Sequence, residues 1–280
     1  MIKFIGIDLD GTLLDSEKKI SEKNLKAIEM AEKAGIKVTI FTGRSLIAAE
    51  EYLDAISSDI PGVFQNGAFI STIKSRKVIK KITLSHRCAR EIISAAKKYD
   101  LFVILFTNFT ETPDMIYDKE WPEDSNYTGY FERNAYRMVK VSDIANCVGE
   151  EVSEISIVGD FEKIKSMQKE IRCTDYTMIL STLFSNNNEA FVECFGPGCG
   201  KEKAFEFLIE SLGVKRSDTA FIGDNYNDLE VLKITGYPVV MGNSYVPQEL
   251  LKIAKYVTSS NDENGVAKAI EHMVRYSHHL

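Results

Sequence analysis

Asp8 and Asp10 stand two residues apart at the end of the apolar run Phe4-Ile5-Gly6-Ile7. Side chains two apart on an extended chain project to the same side, so the two acids share one small region. Two carboxylates held that close repel at neutral pH unless a cation lies between them or one keeps a proton. A divalent cation with oxygen ligands suits Mg²⁺, and a protonated carboxyl suits a general acid. Taken alone, Asp8-Leu9-Asp10-Gly11 reads equally well as a turn closing a strand, because Asp and Gly are common turn residues. A second acidic pair shifts that balance. Asp224 and Asp228, within Gly223-Asp224-Asn225-Tyr226-Asn227-Asp228, also follow an apolar run, Thr219-Ala220-Phe221-Ile222. Helix capping by Asp224 and a first-turn charge at Asp228 are the plain alternatives, and both can coexist with metal binding.

A third apolar run, Val38-Thr39-Ile40-Phe41, leads into Thr42-Gly43-Arg44. A hydroxyl and exposed amides beside a helix N-terminus make an anion site, although Thr42 and Ser45 read equally as simple helix caps. Lys201 follows Gly196-Pro197-Gly198-Cys199-Gly200 and opens a helix. Alone it is a solvated surface charge; beside four carboxylates it becomes a charge-balancing clamp. That glycine-rich stretch fails as a phosphate loop of the Walker type, since the first glycine position falls on Phe195 and Lys201 is followed by Glu202. It fails as a dinucleotide fingerprint too, because Lys201 or Lys203 stands where the third glycine belongs.

These residues need strands to carry them, and the pattern supplies them. Residues 4–66 read as strand, helix from about Asn24 to Ala34, strand, then a helix after Arg44. Ser21 is the expected N-cap of the first helix and Gly35 its C′ residue. The alternation resumes after residue 200 with a helix over 202–212, the runs 219–223 and 237–240, and two closing helices. Strands alternating with helices imply a Rossmann-like, doubly wound parallel sheet, an α/β core covered on both faces. In an open parallel sheet ligands bind beyond the carboxyl ends of the strands, so both acidic pairs can reach one site. Between the halves the texture changes: a hairpin over 68–82, a helix over 86–99, a strand over 101–106, then strand, helix and two strands over 154–158, 161–171, 176–180 and 190–194. Residues 107–140 are aromatic and polar and carry no clear period. The expectation is a core of residues 1–82 and 190–280 with an α+β domain of residues 83–189 inserted into it.

With 280 residues, two compact units are expected. The net charge of −7 argues against a nucleic-acid partner, which demands a surplus of Lys and Arg. No apolar stretch reaches the roughly 20 residues that span a bilayer, and the first strand meets a carboxylate too early for a signal peptide. A cytoplasmic protein with no membrane partner is expected. Five cysteines, odd in number and without Cys-x-x-Cys spacing, suggest reduced thiols rather than disulfides or zinc. His272, His278 and His279 crowd the last nine residues and His86 opens a helix, so histidine catalysis is not expected.

Asp8-Leu9-Asp10-Gly11-Thr12, Thr42-Gly43-Arg44, Lys201 and Gly223-Asp224-Asn225-Tyr226-Asn227-Asp228 together resemble the four ordered motifs of the haloacid dehalogenase superfamily. The insertion between the second and third motifs, with Asn66-Gly67-Ala68, Met241-Gly242-Asn243 and Asn264-Gly265-Val266, is similar to the Cof-type phosphatases, whose α+β cap domain sits there. The resemblance covers the whole chain and is weakest over residues 107–150. It departs from the family at Cys199-Gly200, where a small residue and Ser often precede the lysine, and at Val231, where Met is common. It implies Mg²⁺-dependent hydrolysis of small phosphorylated metabolites, sugar phosphates or similar, with Asp8 as nucleophile through an aspartyl-phosphate and Asp10 as acid and base. Mg²⁺ would be held by Asp8, the Asp10 carbonyl and Asp224, with Asp228 assisting. Thr42, Gly43 and Lys201 would bind the phosphoryl group, Asn227 would orient the site, and Arg44 and Asn66 would border the pocket. A cap over the crevice would exclude large substrates. A phosphomutase or phosphotransferase on the same nucleophile, and a non-catalytic phosphometabolite-binding regulator, are the alternatives. The presence of Asp10 counts against the regulator. The aromatic residues Phe106, Phe109, Tyr117, Trp121, Tyr127, Tyr130 and Phe131 read as packing in preference to pocket. Cys199 is either a redox-sensitive thiol or a small buried residue.

Overall fold

Every residue of the strand Phe4–Ile7 is buried, as a strand covered on both faces requires. In the computed structural model, which describes residues 1–184 and 186–277, it lies between Lys37–Ile40 and Thr219–Gly223, parallel to each. Tyr237–Val240 and Tyr256–Val257 continue the sheet beyond Thr219–Gly223, again in parallel. The chain leaves Phe4–Ile7 toward one edge of the sheet and Thr219–Gly223 toward the other. These two neighbours therefore flank the point where the winding reverses, and the loops at their carboxyl ends diverge to leave a crevice. Asp8 and Asp224 are the first residues beyond the two strands.

Alternation along the strands decides which helix covers which face. Phe4, Phe41 and Phe221 meet the ring of Phe205, on helix Lys201–Ser211, at centroid separations of 5.6, 6.0 and 6.3 Å. Ile5 and Ile7, of opposite parity, are buried on the other face, which helix Glu22–Lys33 covers with Gly265–Ser277 packed against it. The core is thus doubly wound, as expected. Ser21 caps Glu22–Lys33 by accepting the Asn24 amide, and Gly35, at φ +81°, ends it in the left-handed conformation that glycine adopts freely. The hairpin Phe69–Thr72 with Val78–Lys81 forms as expected, and Pro61–Phe64 adds a third antiparallel strand. That strand begins Pro-Gly, which reads as a turn, yet proline is tolerated at a strand's first residue.

The chain divides into two compact units, residues 1–81 with 200–280, and residues 82–199. The second boundary therefore falls at 199/200 and not at 189/190. The reason is the strand Glu189–Phe195, which pairs antiparallel with Glu154–Asp160 on one side and with Thr177–Phe184 on the other. An apolar run of that length is compatible with either sheet, and only the pairing assigns it. In the inserted unit six strands form one sheet, in the order Thr177–Phe184, Glu189–Phe195, Glu154–Asp160, Phe102–Phe106, Met115–Tyr117, Met138–Lys140. Helices His86–Lys98 and Phe161–Glu170 pack together, and the buried Ile92, Ile93, Ile164 and Met167 share one apolar cluster with Val103, Ile155, Ile157 and Val192 of the sheet. A second cluster gathers Phe102, Phe106, Tyr127, Phe131 and Phe191, with Trp121 stacked on Phe131 at 5.5 Å. Tyr117, Trp121, Tyr127, Tyr130 and Phe131 all belong to this cluster, as the packing reading expected. Within that stretch Arg137 bonds Asp114 at 2.9 and 2.5 Å, both side chains almost fully buried, next to the pairing of Met115–Tyr117 with Met138–Lys140.

The cysteines depart in part from the expectation of reduced thiols. Cys88 and Cys173 are joined as a disulfide with Cα atoms 5.5 Å apart, across 85 residues that no spacing rule connects. Cys147 and Cys194 are free thiols, and Cys199 is buried. His272 stacks flat on Tyr256 and its ring bonds the Tyr237 hydroxyl, a packing role; His278 and His279 lie outside the described residues. No described helix is long and apolar enough to cross a membrane.

Candidate active site

Asp8, Asp224 and Asp228 each bring one carboxylate oxygen within 4.8 Å of the others, and all three are buried. Lys201, with no side-chain exposure, donates to Asp8 Oδ1 at 2.7 Å and to Asp228 Oδ1 at 2.6 Å. Lys201 is thus buried on two carboxylates and is not a solvated surface charge. Asp228 turns its other oxygen to the amides of Asp224 and Asn225, at 3.0 and 3.3 Å. Asn225, and not Asp224, takes the N-cap position of the turn that follows, accepting the Tyr226 amide. This frees the Asp224 carboxylate for Thr12, whose hydroxyl donates to Oδ1 at 3.1 Å, and for Tyr245, whose hydroxyl donates to Oδ2 at 2.8 Å.

The electrostatics follow from burial. Burial pushes the Asp8 carboxyl well above the usual carboxylate range; Lys201 opposes this, and Asp228 and Asp224 add to it. Burial and the Asp228 charge lift Asp224 to about 7, against the hydrogen bond from Tyr245 and the charge of Lys201. Burial works against the Lys201 ammonium, but its two carboxylates outweigh that and hold it above the ordinary lysine range. Three carboxylates facing one ammonium leave two negative charges to balance. A divalent cation balances them, and an all-oxygen donor set of this kind suits Mg²⁺. The three residues therefore fit a bound magnesium ion on charge and on donor chemistry.

Asp10 stands in a different setting. Arg44 grips it with two bonds, Nε to Oδ2 at 2.6 Å and an Nη to Oδ1 at 2.8 Å, and Lys18 Nζ reaches Oδ1 at 2.8 Å. Burial favours the neutral acid, but Arg44 and Lys18 outweigh it and hold the Asp10 carboxyl far below the usual range. The Asp10 side chain is consequently not one of the clustered three, and any hold it has on a cation runs through its backbone carbonyl. Arg44 is held further: another of its donors bonds the Ala48 carbonyl at 3.1 Å, and its guanidinium lies 4.9 Å above the Tyr52 ring.

The Thr42 hydroxyl accepts the Arg44 amide at 3.0 Å, and the Thr42 amide bonds the Val63 carbonyl, which fixes this turn against the neighbouring strand. A Cβ on Gly43 would meet the Asn66 amide nitrogen at 3.2 Å, so the two residues pack closely. Asn66 is fully buried and accepts Asn227 Nδ2 at 3.1 Å. That bond ties Asn227 to Asn66 across 161 residues. Gln65, Asn66 and Gly67 all have positive φ, at 46°, 50° and 104°. Non-glycine residues rarely sit there, and such strain persists where surrounding bonds over-determine it. Here the Gln65 amide bonds the Arg44 carbonyl and the Asn66 amide bonds the Thr42 carbonyl.

Four residues around the central acids lie outside the sequence reading. Thr12 stood in the first motif without an assigned role, and Lys18 was one lysine among many. Asn243 bonds the Gly11 carbonyl at 2.7 Å, and Tyr245 reaches Asp224. Asn243 was visible only as part of Met241-Gly242-Asn243, and nothing in sequence marked Tyr245, which contacts a residue 21 positions away.

A family model described as haloacid dehalogenase-like hydrolase matches residues 5–270. The chain is 32% identical over 275 residues to a 5-amino-6-(5-phospho-D-ribitylamino)uracil phosphatase of Bacillus subtilis, covering 98% of this chain and 96% of that protein. It is 26% identical over 275 residues to a phosphoglycolate phosphatase of Methanothermobacter thermautotrophicus, covering 96% and 97%. Among solved structures, a phosphatase of the haloalkanoate superfamily from Bacteroides thetaiotaomicron superposes with a TM-score of 0.81 at 25% identity, covering 97% of this chain and 95% of that one.

Proposed function

The chain belongs to the haloacid dehalogenase-like hydrolases, enzymes of phosphate-ester hydrolysis, and from that premise we propose that it is a Mg²⁺-dependent phosphatase of small phosphorylated metabolites working through an aspartyl-phosphate on Asp8. What supports this above all is the burial of three carboxylates around one lysine beyond the two central parallel strands. Asp8, Asp224 and the Asp10 carbonyl would hold Mg²⁺, with Asp228 assisting directly or through water, and the ion would offset the repulsion between an anionic nucleophile and an anionic ester.

This chain's own residues do the rest. An Asp8 carboxylate oxygen attacks phosphorus, the bond from phosphorus to the ester oxygen breaks, and Asp10 gives that oxygen a proton. A water then attacks phosphorus, Asp10 takes its proton, the Asp8–phosphorus bond breaks, and inorganic phosphate leaves. The Thr42 hydroxyl accepts the Arg44 amide and keeps its O–H hydrogen to donate to a phosphoryl oxygen. The Gly43 amide and the Lys201 ammonium serve the same group, and Asn227, tied to Asn66, orients them. Gripped by Arg44 and Lys18, Asp10 is ionised, the state from which the second half starts, and it must loosen those contacts to take the proton. To act as the acid of the first half it must exchange those contacts for a protonated state near the leaving oxygen.

Several relatives are named for removing phosphate from a ribityl chain, which supports a polyol or sugar phosphate as the substrate class. Substrate choice is assigned to the inserted unit of residues 82–199. The test is phosphate release from a panel of phosphorylated metabolites and an aryl phosphate, with and without Mg²⁺, for wild type and Asp8→Asn. Mg²⁺-dependent release lost in a folded Asp8→Asn variant is expected; undiminished turnover by that variant sinks the mechanism. Product analysis with added alcohols separates hydrolysis from transfer.

A further inference from the structure

Tyr245 is unusual in being 59% exposed as a residue while its hydroxyl sits on Asp224, which is 1% exposed. It follows Asn243 in the loop after strand Tyr237–Val240. Asn243 Nδ2 donates to the Gly11 carbonyl at 2.7 Å, to the Tyr245 hydroxyl at 3.0 Å and, at longer range, to Asp224 Oδ2 at 3.5 Å. Its own carbonyl oxygen accepts the Asn261 amide at 3.0 Å, and Asn261 in turn bonds the Leu14 carbonyl at 2.8 Å. Asn243 is thus braced at both ends, and it presents the phenol to Asp224. Gly11 makes the approach feasible: at φ +74°, a Cβ there would lie 2.2 Å from Asp224 Oδ2 and 2.3 Å from the Tyr245 hydroxyl.

We propose that Tyr245, braced by Asn243, is a positioning residue that fixes the orientation of Asp224 as a ligand for the divalent cation. With Thr12 on Oδ1 and Tyr245 on Oδ2, both oxygens of Asp224 are held by hydroxyls from different loops, and the carboxylate cannot rotate without breaking one of the two bonds. Hydroxyls suit this duty. Each donates one hydrogen and carries no positive charge, so it orients the carboxylate without competing electrostatically with a cation, and each oxygen keeps a lone pair for the metal. Partners of this kind around a metal ligand typically contribute 10- to 100-fold in affinity.

The inference rests on the reading of Asp224 as a metal ligand, and the experiment separates the two. Mn²⁺ binding to the intact protein is measured by electron paramagnetic resonance for wild type, Tyr245→Phe, Asn243→Ala and Asp8→Asn. Tyr245→Phe keeps the ring and removes only the hydroxyl. An Mn²⁺ dissociation constant raised about tenfold or more in Tyr245→Phe is expected, with a similar rise in Asn243→Ala and a larger effect on the apparent Mg²⁺ requirement than on kcat at saturating Mg²⁺. Wild-type affinity in Tyr245→Phe, with binding lost in Asp8→Asn, overturns the positioning role and leaves the phosphatase reading standing. Absence of Mn²⁺ binding by wild type overturns both.

Discussion

Replacing Lys201 by Met removes the one ammonium among three buried carboxylates and keeps most of the side chain's volume. Lys201 lies 2.7 Å from Asp8 and 2.6 Å from Asp228. At an effective dielectric of about 20, each such contact is worth roughly 6 kcal/mol of Coulomb attraction. Relief of the cost of burying the ammonium returns much of this, so the expected net loss is about 3–5 kcal/mol, the usual result of stripping one partner from a buried pair. The loss must depend on pH. Burial raises Asp8 and Asp224, the latter to about 7, so the folded protein binds more protons than the unfolded chain between the ordinary carboxylate range and neutrality. Stability of the metal-free protein therefore falls as pH rises through that window, and more steeply once Lys201 no longer opposes the shift. Guanidinium unfolding is measured by far-UV circular dichroism at pH 5 and pH 8 with a chelator present, because the one tryptophan, Trp121, reports on the inserted unit. The Met variant should lose several kcal/mol at pH 8 and distinctly less at pH 5. A loss below about 1 kcal/mol at pH 8, or a loss that grows on acidification, refutes the charge argument.

Arg44→Met should raise the Asp10 pKa by one unit or more toward the ordinary carboxylate range, since an opposite charge in contact typically lowers a carboxyl by about 1–3 units. Carbonyl-carbon NMR of labelled aspartate follows this directly, and an unmoved Asp10 titration contradicts the grip assigned to Arg44. Gly11→Ala places a methyl group into Asp224 and Tyr245 at a positive φ, so a fall of about a hundredfold or more in metal-dependent turnover is expected, the scale of a misplaced catalytic group. Gly35→Ala is the control: its φ is +81° but nothing lies within 4 Å, so it should cost about 1 kcal/mol of backbone strain and leave activity alone. Equal activity in the two variants removes the argument that Gly11 is required for contact with Asp224.

The α/β core was legible because its signals are local. Ser21, Gly35 and the fully apolar runs fix helix ends and buried strands through chemistry that neighbours in sequence carry. What escaped depends on pairing between distant segments. The strand Glu189–Phe195 could not be assigned to the inserted sheet until its partners were known. Residues 107–140 have no period because their order comes from the buried Asp114–Arg137 pair and mutual aromatic contacts, not from one apolar face. At the site, the residue types were readable and their assignments were not. Asn66 and Arg44 look like pocket residues by position, yet one is buried against Asn227 and the other is spent on Asp10. Tyr245 is the extreme case, since an exposed aromatic in a loop carries no signal of what its hydroxyl touches.

Asp8 and Asp10, two residues apart, are pushed in opposite directions by their surroundings, and each in the direction contrary to its proposed task. The nucleophile must be an anion, yet burial beside two like charges favours its neutral form. The acid must carry a proton, yet a guanidinium and an ammonium keep it ionised. Both tensions are electrostatic and both have a definite release. A divalent cation held by Asp8 and Asp224 would supply the largest local charge there and would favour the Asp8 anion. The second inverts only if Asp10 leaves Arg44. Lys18, whose ammonium also holds Asp10, must let go as well.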